Sequence, residues 1–66
     1  MSSLSFRTLV LHSLHNGVVT ENWATIKPLL EEKGHTDIID TVKYVNNRYR
    51  IGKHDFLRLI GLEHDR

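Results

Sequence analysis

Not one of the 66 residues is a cysteine, and this narrows what can hold so short a chain together. Disulfides and thiolate metal sites are excluded. A chain of this length buries only about 60% of the surface that its unfolded form exposes. Its single core then has about 3–5 kcal/mol to spare. The main support left is a second chain, so self-association is expected, with a homodimer as its simplest form. The lack of cysteine also fits a reducing compartment, and the cytoplasm is the expected location.

The core must be built from apolar periodicity. The stretch TDIIDTVKYVNNRYRIG, residues 36–52, carries Ile38, Val42, Val45 and Tyr49 at steps of four, three and four. That spacing places them on one helical stripe. Asp37 and Asp40 precede Arg48 and Arg50, the order that a helix dipole favours. Thr36 offers a cap and Gly52 a stop, and together these signals predict a helix over residues 36–51.

The other helices follow from similar signals. Phe6, Val10 and Leu14 step by four after a run of serines, which predicts a helix over 4–15 closed by Asn16-Gly17. Val18 and Val19 form an extended link. Thr20 caps a second helix over 21–33, in which Trp23, Ile26 and Leu30 share a face. Pro28 falls inside it, and a continuous helix with a local bend is expected because Trp23 belongs to the same stripe. Asp55 caps a short last helix over 55–62 with Phe56, Leu57 and Ile60. The expected fold class is therefore all-α. It is a compact bundle of three main helices plus a short C-terminal one, forming a single domain over residues 1–66.

Several function classes drop out. Nine Lys and Arg against eight Asp and Glu give no global charge that would demand nucleic acid or an anionic membrane. No apolar run nears the ~20 residues of a membrane span. Five histidines raise the question of a metal, but His12 and His15 lack two further ligands. The C-terminal GLEHD resembles the end of the long zinc-binding motif of metzincin proteases. The upstream HExxH is missing, so the resemblance implies no zinc here. No phosphate loop, activated nucleophile or carboxylate pair is present. No enzyme activity, metal or cofactor is expected.

Two binding surfaces remain. Leu11, Val18, Val19, Trp23, Ile39, Ile51 and Leu62 exceed what one small core holds, and they are the interface candidates. Lys43, Asn46, Asn47, Arg48, Arg50 and Lys53 gather around the end of the third helix, where cations could hold phosphates and amides could meet bases. The leading expectation is a non-enzymatic interaction or regulatory module, self-associating and bound to a larger protein partner. The alternative is a small nucleic-acid-binding regulator that uses the basic cluster. As a helix-turn-helix the stretch is poor, because Asp40 takes a position that normally faces the core.

Overall fold

The computed structural model describes residues 5–64, with side chains to residue 61. The order is helix α1 (Phe6–Asn16), helix α2 (Thr20–Glu32), helix α3 (Thr36–Thr41), strands β1 (Lys43–Val45) and β2 (Arg48–Arg50), and helix α4 (Lys53–His64). None of the described helices is long and apolar enough to cross a membrane.

The first two helices begin and end much as the sequence predicts. Ser5 caps α1, its hydroxyl oxygen accepting from the Thr8 backbone N–H at 3.1 Å. Leu4 lies outside the described residues. Gly17 closes α1 with φ 104°, its N–H donating to the Ser13 and Leu14 carbonyls at 2.9 and 3.2 Å. Helix α2 runs unbroken through Pro28. The missing donor leaves the Ala24 carbonyl without its helical partner, and both residues are exposed, so water can satisfy it. At the end of α2, Gly34 at φ 82° allows His35 N–H to reach the Leu30 carbonyl (2.8 Å) and its own N–H to reach Glu31 (3.2 Å). This is a Schellman closure. Neither Thr20 nor Thr36 caps its helix, since each is the first helical residue and the N-cap positions fall on Val19 and His35. Asp55 is likewise inside α4, where it pairs with Arg58 at 3.4 Å.

Residues 36–51 are not one helix, and the fold is mostly helical rather than all-α. Helix α3 stops at Thr41, and the chain turns into an antiparallel hairpin. Asn46 and Asn47 have φ 54° and 63°. Positive φ at both central residues is what a two-residue hairpin loop of type I′ requires, and asparagine tolerates it better than most residues. The flanking Tyr44, Val45, Tyr49 and Ile51 are aromatic or β-branched and suit strands. A continuous helix would have put Val45 in the core, whereas it is 47% exposed.

One cluster of buried side chains joins the elements: Val10, Leu11 and Leu14 of α1, Val18, Trp23 and Leu30, Ile38 of α3, Ile51, and Phe56 and Leu59 of α4. Helix α1 packs on α4 and α2 on α3, while β2 touches both α1 and α2. Arg7 also ties α1 to α3. Its guanidinium donates to the Asp37 carboxylate at 3.0 and 2.7 Å and lies 3.3 Å from His35 Nδ1.

These bonds, above all, hold the Asp37 carboxyl below the ordinary carboxylate range. A depressed carboxyl stabilises the fold above its unfolded pKa, and that contribution is lost as pH falls through the folded value. With the Asp37 side chain 47% exposed, the pair contributes less than about 1 kcal/mol. Asp37→Asn is therefore expected to lower the melting temperature slightly at neutral pH and to flatten part of the decline below about pH 4. Melting curves at neutral and acid pH check this, and an unchanged acid limb in the variant would refute it.

Candidate functional site

The hairpin sorts its side chains by face. Lys43 pairs with Arg50, Tyr44 with Tyr49, and Val45 with Arg48. Side chains alternate along a strand, and directly opposed residues share a face. Lys43, Val45, Arg48 and Arg50 therefore lie on one side, and the two tyrosines on the other. The tyrosine side is the attachment. Tyr49 stacks on Trp23 (centroids 5.3 Å) and meets Tyr44 (4.7 Å). Val18 and Tyr49 exchange both backbone hydrogen bonds at 2.8 Å, which fastens β2 to the link between α1 and α2. Strand β1 is left as the outer edge.

The opposite side is an exposed cationic face. Like charges directly across a strand pair are destabilising, yet Lys43 and Arg50 oppose each other. Among the described residues, neither they nor Arg48 has an ion-pair partner. Residues 41–54 hold four cations and no acid, so the rest of the chain has five cations against eight acids. A nearly neutral chain thus concentrates its positive charge on one ribbon.

Gly17 is where this face meets the helices. A Cβ built there would come within 3.3 Å of Arg50 Cζ and 3.4 Å of Arg48 Cδ. The two arginine side chains thus lie against a position whose φ of 104° favours glycine. A cleft of about 430 Å³ opens beside it. Its lining includes Val18, Val19 and Ile26, the polar side chains of Asn16, Asn22 and Thr25, and Arg48.

Of the sequence-predicted basic cluster, Lys43, Arg48 and Arg50 come together on the ribbon face. Asn46 and Asn47 form its turn. Lys53 is exposed at the start of α4, beyond Ile51 and Gly52. The interface candidates lie elsewhere than a surface patch. Leu11, Val18, Trp23 and Ile51 are in the core, Val19 and Ile39 are half-buried, and the Leu62 side chain lies outside the described residues. The exposed large apolar side chains are instead Leu9, Leu29, Tyr44, Val45 and Leu57. His12 and His15 both pack on Phe56, edge-on at 5.2 Å and stacked at 4.4 Å. No group of three or more potential ligands for a metal occurs among the described residues. The cleft residues Asn16, Asn22 and Thr25 escaped the sequence reading, because they come from two helices and share no spacing signal.

Compared with protein-family models, with curated proteins and with solved structures, the chain finds no match.

Proposed function

We propose that the chain is a small non-enzymatic nucleic-acid-binding module whose contact surface is the cationic face of the hairpin. The observation that carries this reading is the opposed pair Lys43–Arg50, with Arg48 beside it and no acid across from any of the three. Such an array costs folding energy by itself and is relieved by an anion. A phosphate backbone supplies anions at repeated spacing, and its binding releases counterions. A two-stranded ribbon also has a shape that nucleic-acid grooves and strands can accept.

The test is the salt dependence of binding to mixed-sequence oligonucleotides. Removing one phosphate-binding cation reduces the slope of log K against log salt by about 1. Arg48→Ala with Arg50→Ala is expected to weaken binding at low salt and to shrink the slope by about 2. An unchanged slope in the double variant rejects the ribbon as the contact surface.

A self-associating protein-binding module, with a homodimer and a larger partner, is the second reading. It draws on Leu9 and Leu57, which are 50% and 54% exposed on the two helices α1 and α4 that pack together. Absence of oligonucleotide binding, together with a mass that rises with concentration in sedimentation, selects this reading over the first.

A further inference from the structure

The cationic ribbon accounts for phosphates but leaves the adjoining cleft unused. Its volume of about 430 Å³ falls in the range of small-ligand pockets, about 300–1,000 Å³. Its chemistry is mixed in a particular way. Val19 and Ile26, both half-buried, give it apolar surface, and Asn16 and Asn22 are its amide residues. Each amide offers two donors and an acceptor. Among the described residues, neither amide side chain has a hydrogen-bond partner. Arg48 is the charged residue of the lining, and no acid is part of it. Glu21, the nearest acid in sequence, is exposed and lies outside the lining.

We propose that this cleft takes one unstacked nucleotide of a single strand, with its base against Val19 and Ile26, its edge on the amides of Asn16 and Asn22, and its phosphate on Arg48. The proposal rests on the ribbon's reading as a nucleic-acid surface and adds which form of nucleic acid it selects. A base has an apolar face and a polar edge carrying both donors and acceptors, and the lining supplies a counterpart to each. Inside a duplex the face is stacked and the pairing edge occupied. Single-stranded bases can be splayed out and bound along those edges. Arg48 belongs to both surfaces, since it stands on the ribbon face and lines the cleft. The strand would therefore run along Arg50 and Lys43 and place one base beside Gly17.

The test measures affinity by fluorescence anisotropy for three probes of equal length, about twelve nucleotides. They are a mixed-sequence single strand, the same sequence as duplex, and an abasic strand that keeps the phosphates. The full chain is expected to bind the single strand about tenfold tighter than the abasic strand, and tighter than the duplex at matched salt. Asn16→Ala with Asn22→Ala is expected to weaken single-strand binding about tenfold, to leave the salt slope unchanged and to erase the advantage over the abasic strand. Both positions are exposed, and circular dichroism verifies that the variant folds. Equal affinity of the full chain for single and abasic strands overturns the cleft proposal, as does an asparagine variant that binds like the parent. If the arginine variants still lose affinity in those cases, the ribbon reading stands alone. If the parent binds none of the three probes, both readings fall.

Discussion

Leu14→Ala is expected to leave the chain largely unfolded at room temperature. Leu14, in the last turns of α1, is fully buried in the core. Its carbonyl accepts from Gly17 N–H at 3.2 Å and from Ile51 N–H at 3.3 Å, so the residue sits where three segments converge. Truncating a buried leucine costs about 2–5 kcal/mol. A domain this small has about 3–5 kcal/mol in all, so the loss removes most or all of its stability. Leu9, on the same helix but 50% exposed, is the control, and its alanine variant should cost no more than about 0.5 kcal/mol. Far-ultraviolet circular dichroism and urea titration read both. A Leu14→Ala variant that keeps a cooperative transition near the parent's midpoint would mean that the core is not organised around α1.

The second large effect falls on Gly17. Gly17→Ala is expected to destabilise the fold by about 1–3 kcal/mol, against the usual small gain from stiffening the unfolded chain. Two causes act together. A backbone φ of 104° is one that side chains rarely adopt, and the new methyl would meet Arg50 and Arg48 at 3.3 and 3.4 Å. Gly34→Ala is the comparison. Gly34 has φ 82° at a left-handed helix end, a milder backbone for alanine than φ 104° and ψ 125° at Gly17, and nothing lies within 4 Å of its Cβ. A larger loss at Gly17 than at Gly34, with weaker oligonucleotide binding only at Gly17, is the expected pattern. Equal losses and unaffected binding would show that the arginines do not depend on the bare backbone there.

Much of the helical frame is legible from local chemistry. The serine run and Gly17 mark ends of α1 that the structure keeps, and the Trp23, Ile26 and Leu30 spacing carries α2 correctly across Pro28. The error at residues 36–51 has a physical origin. Ile38, Val42, Val45 and Tyr49 satisfy helical spacing, but the same residues sit in a segment where Val42, Tyr44, Tyr49 and Ile51 also fit a strand alternation. The discriminating signal is Asn46-Asn47. These two look like polar positions on a helix face, although adjacent asparagines can supply the two positive φ values of a tight turn. With the hairpin in place, cations that would have spread around a helix fall on one side. The sequence shows only the local density of Lys43, Arg48 and Arg50; their place on one face follows from the hairpin register. The cleft is beyond reach of the sequence, since its lining comes from the end of α1, the link after it, α2 and β2, which only the folded chain brings together.

The bridge between Val18 and Tyr49 joins residues 31 positions apart in sequence. Bringing such distant points together costs chain entropy before any contact rewards it. Helices α2 and α3 lie within that loop and shorten the span that the bridge must close. The hairpin register alone sorts its lysine and arginines to one side, and the bridge fixes where that side sits against the helices.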